Sequence, residues 1–124
     1  LWAFIPPTML QSLRSMVSAK ANSSHSIYGV DGSPVIKDIY YGNRWRTILL
    51  AGMGRGGHGY FALDITNPNS PSFLFAFQND AVNKQIYHWD DSGNRSDLGY
   101  AANIPAEYDY SKLGEAWSTP TIMA

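Results

Sequence analysis

The sequence contains no cysteine, which excludes disulfide bonds, thiolate metal sites and a cysteine nucleophile among its 124 residues. It also lacks an apolar run of about 18 residues, the length that a membrane-spanning helix needs. Its nine basic and ten acidic residues give a formal net charge of -1, with no basic stripe to follow a phosphate backbone. We therefore expect no nucleic-acid partner and no membrane span, while the redox compartment stays open.

Neither end of the chain has the features of a complete protein. It opens on Leu1-Trp2-Ala3-Phe4 without an initiator methionine or a signal segment, and it closes on Ser118 to Ala124. Both ends resemble strands. We expect a piece of a longer chain, so the missing signal segment carries no information about where the protein works.

Turn formers and aromatic residues are abundant. The chain has 11 glycines, 7 prolines and 14% aromatic residues, a composition typical of short strands joined by many turns. This composition predicts an all-β fold.

The first 24 residues predict a strand followed by a helix. Leu1 to Ile5 is predicted to be a strand that is stopped by Pro6-Pro7. Thr8 and Gln11 have the spacing of a capping box. Apolar residues then recur at helical spacing, which predicts packing of one helix face against the domain: Met9, Leu10, Leu13, Met16 and Val17.

The middle of the chain predicts four antiparallel strands in sequence order. They lie within residues 27–39, interrupted by the turn-forming Asp31-Gly32, and within 45–51, 60–65 and 73–77. The first hairpin has its turn near Gly42-Asn43, and residues 66–71 form the last turn.

Two short motifs recur along the chain. Leu1-Trp2-Ala3-Phe4 returns as Leu74-Phe75-Ala76-Phe77, and Ser33-Pro34-Val35-Ile36 returns as Thr119-Pro120-Thr121-Ile122. A four-stranded unit that repeats is typical of a β-propeller blade. We predict a partial propeller in five parts: the last strand of one blade (1–6), a helix and loop insertion (7–24), a complete blade (25–77), a second insertion (78–117) and the first strand of the next blade (118–124).

A glycine-rich stretch raises the possibility of a phosphate site. Gly52, Gly54 and Gly57 match the spacing G-x-G-x-x-G, but a dinucleotide fingerprint needs a helix directly afterwards, and Tyr60 to Ile65 reads as a strand. The stretch predicts a wide hairpin in which glycine permits close backbone approach. We expect Arg55 and His58 at its tip, in solvent or in a surface contact.

The chain offers weak candidates for metal binding. Residues 90–97 cluster aspartates and asparagine like a calcium loop, but they fail the EF-hand spacing, so a plain Asx and glycine turn is favoured. The histidines His25, His58 and His88 have no zinc-site spacing.

Candidates for catalysis and stacking are equally weak. Ser33 or Ser118 with Asp31 and a histidine can be written as a triad, but no nucleophile elbow is present. Four tryptophans can stack a sugar or a flat cofactor, although packing is the more frequent use: Trp2, Trp45, Trp89 and Trp117. Asp31 and Asp64 are better explained as turn acceptors. We predict no catalytic, cofactor-binding or metal-binding residue in this stretch.

Several motifs occur in the order found in one known family. They are His25 to Asp38, Trp45 to Leu49, and the glycine stretch running into Tyr60-Phe61-Ala62-Leu63-Asp64-Ile65-Thr66-Asn67-Pro68. Together they resemble the C-terminal propeller of the PilC/PilY family. Leu1 to Pro6 is similar to the family's preceding stretch, and Asp97-Leu98-Gly99-Tyr100 to the following one. The resemblance covers residues 1–77 and, more loosely, 97–124.

The resemblance implies a large protein exported through the periplasm to the bacterial surface, at the tip of type IV pili. There it implies a non-catalytic adhesin that supports pilus biogenesis, with pilins, minor pilins, a host or surface receptor and the rest of its own propeller as partners. A calcium loop is implied for the parent outside this stretch. Two alternatives stay open: a blade of a quinoprotein dehydrogenase and a purely structural repeat module.

Overall fold

One antiparallel sheet of six strands, in the order β1-β2-β3-β4-β5-β6, forms the body of the structure. The structure, a computed structural model, describes residues 1–18, 27–100, 105 and 109–123. The strands are β1 Val35–Tyr41, β2 Arg44–Gly52, β3 Gly59–Asp64, β4 Ser72–Asp80, β5 Gln85–Trp89 and β6 Arg95–Gly99. A 3-10 turn, Pro7–Met9, and a helix, α1 Leu10–Ser18, precede the sheet. No helix among the described residues is long and apolar enough to cross a membrane.

The predicted four-strand meander is confirmed as β1 to β4. Its first hairpin turns at Gly42 and Asn43, whose φ angles of 62° and 58° are both left-handed. Two consecutive left-handed residues match the twist of the flanking strands, and glycine and asparagine adopt this conformation most easily. Strand β3 lies between β2 and β4 in the sheet, and all six of its residues are buried.

The interval 78–117, predicted to be an insertion without periodicity, instead contributes two more strands. β4 continues to Asp80, whose carboxylate accepts the Asn83 N–H at 3.0 Å and closes the turn into β5. β5 buries Ile86, Tyr87 and Trp89. β6 is mostly exposed. Its polar sequence explains why pattern alone did not identify it, because hydrophobic alternation is weak in a solvated edge strand.

The predicted strand at residues 1–6 is wrong. The segment crosses a face of the sheet without joining its edge: the Trp2 indole N–H donates to the Pro68 carbonyl at 2.8 Å. The Phe4 ring lies 5.6 Å from the Phe61 ring and 6.0 Å from the Phe73 ring. Packing these aromatic rings against the sheet face stabilises the segment more than an edge-strand position with one unpaired side would.

Two further strand predictions need correction. Residues 118–123 form no strand, although the Lys37 ammonium donates to the Ile122 carbonyl at 2.7 Å. Residues 27–34 are also irregular, and the first strand begins at Val35. Pro34, which has no N–H to donate to a sheet, immediately precedes that strand.

The helix is present as predicted, but its capping box is not. The 3-10 turn has no side-chain cap, and the Thr8 hydroxyl donates to the buried Met53 sulfur at 3.1 Å. Met9 is buried, and Leu13 and Met16 pack beside it. The remaining two positions of the predicted apolar stripe are exposed: Leu10 at 58% and Val17 at 88%.

The two faces of the sheet are covered by opposite ends of the chain. On the helix face, residues 4–16 pack over a core made of Ala51, Met53, Phe61, Leu63, Ala76, Tyr87 and Trp89. On the other, the tail face, the Tyr110 ring stacks on Phe77 at 4.0 Å. The buried Asn79 amide donates to the carbonyls of Ser111 at 3.1 Å and Leu113 at 2.8 Å. Both terminal segments therefore converge on the central strands.

Candidate functional site

The glycine loop, residues 53–58, joins β2 to β3 as a wide hairpin. The Met53 N–H donates to the Gly59 carbonyl, and the Gly56 N–H donates to the Met53 carbonyl, both at 2.9 Å. A strand follows the loop directly. Because the amides and dipole of a helix N-terminus are absent here, the loop has no dinucleotide-binding geometry, and the predicted hairpin is confirmed.

The glycines permit another segment of the chain to pass against the loop. A Cβ placed on Gly56 would lie 1.4 Å from the Gly29 carbonyl oxygen. A Cβ on Gly32 would lie 2.2 Å from the Gly52 carbonyl oxygen. No side chain fits at either position, so residues 29–32 and the loop are packed backbone against backbone.

Main-chain hydrogen bonds tie the loop to distant parts of the chain. The Asp31 N–H donates to the Met53 carbonyl at 3.1 Å. From the C-terminal side, Gly54 and Gly57 exchange bonds with Ala116, at 3.2 Å and 3.3 Å. The loop thus connects the segment before β1, the body of the sheet and the tail.

Arg55 at the loop tip is exposed, as predicted, but it is not simply solvated. Its guanidinium lies 5.2 Å from the centre of the Tyr28 ring and 5.4 Å from the centre of the Trp117 ring. It also donates to the Tyr28 hydroxyl at 3.1 Å. This hydrogen bond is the main reason that the pKa of Arg55 is raised, with Asp31 and Glu115 adding smaller attractions. We call the side chains of Tyr28, Arg55 and Trp117 the arginine clamp.

The clamp was not found from the sequence, because its members are far apart. Tyr28 precedes Arg55 by 27 positions, and Trp117 comes after the last strand of the sheet in the sequence. Only the fold brings them together. The other tip residue, His58, is half-buried and accepts the Asn79 N–H on its carbonyl at 2.8 Å.

A polar cavity of about 200 Å³ lies beside the clamp. Its polar lining comes from Asp31, Ser33, Ser118 and Thr119, with the Trp117 ring at its border. The Ser118 hydroxyl is 3.0 Å from the Tyr60 hydroxyl, which anchors that wall to β3.

This cavity brings together the serines and the aspartate of the candidate triad. No histidine is among its described lining residues, so the structure does not assemble a triad there. Of the histidines named from the sequence, His25 lies outside the described residues.

Residues 90–94 form a self-contained turn between β5 and β6, so the turn predicted within residues 90–97 is confirmed for 90–94, while residues 95–97 belong to β6. The Asp90 carboxylate accepts the N–H groups of Ser92 at 3.0 Å and Asn94 at 2.8 Å. These bonds, with Asn94 as the main contributor, lower the pKa of Asp90. Arg95 pairs with Asp97, Nε to Oδ1, at 2.6 Å. Across the described ranges, no three acidic or histidine side chains are grouped closely enough to hold a metal ion.

Asp64, at the end of β3, is the turn acceptor that the sequence predicts. Its carboxylate accepts the Thr66 N–H at 3.0 Å and the Arg46 guanidinium at 3.2 Å. The Thr66 hydroxyl also donates to it and is the main cause of the lowered pKa of Asp64. For Asp31, the observed bond is donated by its main-chain N–H to the Met53 carbonyl in the glycine loop, which is a contact between distant segments and not the predicted turn bond to its carboxylate.

Three aromatic side chains beside the turn of the β1–β2 hairpin are largely exposed. Tyr40, Tyr41 and Trp45 are 59%, 68% and 67% exposed. On one face of the hairpin the Tyr40 and Trp45 rings meet edge to face at 5.7 Å, and on the opposite face the Arg46 guanidinium lies 5.6 Å from the Tyr41 ring. We call Tyr40, Tyr41, Trp45 and Arg46 the aromatic tip.

The four tryptophans divide between packing and exposure. Trp89 is buried in the core at 7% exposure, as the packing interpretation expects. Trp2, Trp45 and Trp117 are 41%, 67% and 52% exposed. Only Trp117 borders the polar cavity.

Comparison with known proteins is consistent with the fold. The family of the PilY1 beta-propeller domain matches residues 6–112. The chain is 32% identical over 104 residues, 84% of its length, to the type IV pilus biogenesis factor PilY1 of Pseudomonas aeruginosa UCBPP-PA14. Identity is 37% over 75 residues, 60% of the chain, to PilY1 of P. aeruginosa PAO1. It is 31% over 105 residues, 84% of the chain, to a PilY1 homolog of Xylella fastidiosa Temecula1.

The chain spans only a small part of these relatives, 8%, 6% and 6% of their lengths. Among solved structures, the P. aeruginosa PilY1 C-terminal domain is 22% identical, with a TM-score of 0.45. That alignment covers 84% of this chain and 27% of the solved one. The family match confirms the resemblance stated from the sequence and the all-β, partial propeller fold.

Proposed function

Because the chain belongs to the PilY1 beta-propeller family, we propose that it is a propeller segment of a type IV pilus biogenesis factor that also acts as a surface adhesin. The proposed location is the pilus tip or outer surface, reached through the periplasm. The proposed partners are pilin and minor pilins, a host or surface receptor, and the rest of its own propeller. Any calcium site of the parent belongs, on this proposal, to another part of the chain.

The observation that supports an attachment role best is the aromatic tip. The Tyr40 and Trp45 rings share one face and contact each other, and exposed large apolar side chains that lie together are typical of a contact surface. Tryptophan, tyrosine and arginine are also the residues that contribute most to protein interfaces. The turn at Gly42 and Asn43 is short, and seven paired positions between β1 and β2 hold the tip rigidly. A rigid tip loses little conformational entropy when it binds a partner.

Three carboxylates have a structural use, and their lowered pKa values do not suit them to act as general acids. Asp64, Asp80 and Asp90 each accept hydrogen bonds from a neighbouring turn, and the pKa of each is lowered. A general acid near neutral pH needs a raised pKa instead, because it must hold its proton. These carboxylates are therefore suited to fastening turns.

The test of pilus association is mass spectrometry of sheared, washed pili from the source bacterium. Peptides from residues 25–77 that co-purify with pilin, within a long parent chain, would support the proposal. Absence from pili together with recovery in a quinone-bearing periplasmic fraction would overturn it in favour of the dehydrogenase alternative.

The test of attachment compares surface binding of bacteria that carry single substitutions. Trp45→Ala is expected to reduce attachment several-fold, because a central tryptophan contributes strongly to contacts. The matched control is Val82→Ser, which removes a still more exposed apolar side chain, 91% against 67% for Trp45, from the β4–β5 turn. Equal attachment by both variants would contradict a contact role for the aromatic tip, while unchanged pilus number would separate attachment from biogenesis.

A further inference from the structure

The polar cavity beside the arginine clamp combines hydrogen-bonding groups with one aromatic ring. Asp31 supplies a carboxylate, and Ser33, Ser118 and Thr119 supply hydroxyls that can both donate and accept. Its volume of about 200 Å³ is smaller than the range of about 300–1,000 Å³ typical of sites for drug-sized ligands. The space therefore suits one small ring rather than an extended cofactor.

The charges around the cavity exclude ionic ligands. An anion would meet the Asp31 carboxylate in the wall. A cation would meet Arg55, which lies over the Trp117 ring and already interacts with Asp31. Because opposite charges are already balanced at the border, the ligand that fits is neutral and rich in hydrogen-bonding groups.

The Trp117 ring is held in a fixed orientation. Its indole N–H donates to the Glu115 carboxylate at 2.6 Å, and the Arg55 guanidinium lies over the ring. The adjoining main chain is fastened to the glycine loop through Ala116. A ring fixed in this way offers an apolar surface at the border of a polar cavity without a further entropy cost on binding.

We propose that this cavity binds the neutral hexopyranose ring of a surface glycan. Such a ring has apolar C–H groups to lie against Trp117 and hydroxyls to bond with Asp31, Ser33 and Thr119. The inference deepens the proposed attachment function, on which its biological meaning rests, by naming a ligand class.

The test is saturation-transfer NMR and titration calorimetry on the full-length protein with D-glucose, D-galactose and D-mannose. We expect at least one sugar to bind saturably. We expect Trp117→Ala and Asp31→Asn each to weaken that binding about tenfold, which corresponds to about 1.4 kcal/mol. Ser33→Ala, an exposed position on the cavity wall, tests the site where the other variants disturb folding. The matched control is Val82→Ser, which removes an exposed apolar side chain that does not line the cavity.

The outcomes separate the two proposals. Binding that is lost in Trp117→Ala or Ser33→Ala and kept in Val82→Ser supports the site. Failure of all three sugars to bind the wild-type protein overturns it, as does an equal loss in Val82→Ser. Neither of these results bears on attachment through the aromatic tip or on pilus association, which are measured on bacteria and on sheared pili.

Discussion

The glycine loop and the turn at residues 90–94 both raise, from sequence, the possibility of a bound ion, and they differ in how they are held. Both contain glycine beside polar residues, with three glycines in the loop and one in the turn. The turn is held by Asp90, whose hydrogen-bond partners lie within four positions. The glycine loop bonds to Asp31 on one side and to Ala116 on the other. Similar composition therefore serves a local structure in one place and a junction of distant segments in the other.

This difference shows what a glycine contributes in each setting. Gly93 has a left-handed φ of 81°, and a Cβ there would meet nothing within 4 Å. Gly56 is needed because another backbone occupies the place of its side chain. The first glycine relieves local strain, whereas the second makes close packing possible.

The largest expected effect is that of Gly56→Ala. The new methyl group would overlap the Gly29 carbonyl, so the two segments must separate, at a cost of about 3 kcal/mol in the free energy of unfolding. The matched control is Gly93→Ala, which introduces only backbone strain of about 1 kcal/mol. Thermal and urea unfolding of the propeller measure both. A smaller loss in Gly56→Ala than in Gly93→Ala would show that the loop is not a packed junction.

A smaller effect is expected at Asp64, whose turn combines a local partner, Thr66, with one from the neighbouring strand, Arg46. Asp64→Asn should lower the free energy of unfolding by about 2 kcal/mol at pH 7, because hydrogen bonds to a buried charge are lost.

The pH dependence of the same variant gives an independent check. The folded-state pKa of Asp64 is lowered below its unfolded value of about 3.9. Its stabilising contribution is present above that value and is lost as the pH falls through the folded pKa. The gap in melting temperature between wild type and Asp64→Asn should therefore narrow from pH 7 to pH 3. A constant gap would contradict a role for the ionised carboxylate.

Arg55 should have a smaller effect again, because the arginine clamp is exposed to solvent and its attractions are screened. Arg55→Ala is expected to lower the melting temperature less than Asp64→Asn does. It should also accelerate amide hydrogen exchange at residues 113–117. Arg55→Lys keeps the charge but loses the planar group that lies over two rings. Its amides at residues 113–117 should therefore exchange more slowly than those of Arg55→Ala but faster than those of the wild type. Full protection in Arg55→Ala would show that the clamp does not hold the tail.

The smallest effect is expected at the self-contained turn. Asp90→Ala removes the acceptor for the N–H groups of Ser92 and Asn94, and hydrogen exchange should accelerate at those amides. Exchange at residues 53–57 should not change, since no bond from the turn reaches them. A change there would mean that the two regions are coupled.

What the sequence predicted correctly depends on contacts between near neighbours. The hairpin at Gly42-Asn43, the buried strand from Gly59 and the turn at Asp90 each follow from local conformational preferences. The prediction for Leu1 to Ile5 failed because a short apolar stretch shows that side chains will be buried, not whether a neighbouring strand is available for pairing. Phe4 and Trp2 instead cover the sheet.

The candidate site was less predictable, because its parts are joined only by the fold. Trp117 and Asp31 were both identified as residues of interest, but no spacing rule places them at one cavity. Tyr28 gave no signal at all. The same limit applied to β6, whose polar residues made a real strand resemble a loop.

The bonds of the glycine loop also set an order of assembly during synthesis. The ribosome releases Asp31 and residues 53–57 before Ala116, so their contact is able to form while the later strands are still being made. The bonds of Ala116 to Gly54 and Gly57 must close a long loop, which is slow and entropically costly. Residues 113–117 therefore join the glycine loop after the hairpin has formed, and a nascent chain stalled before residue 116 would carry a finished hairpin but no polar cavity.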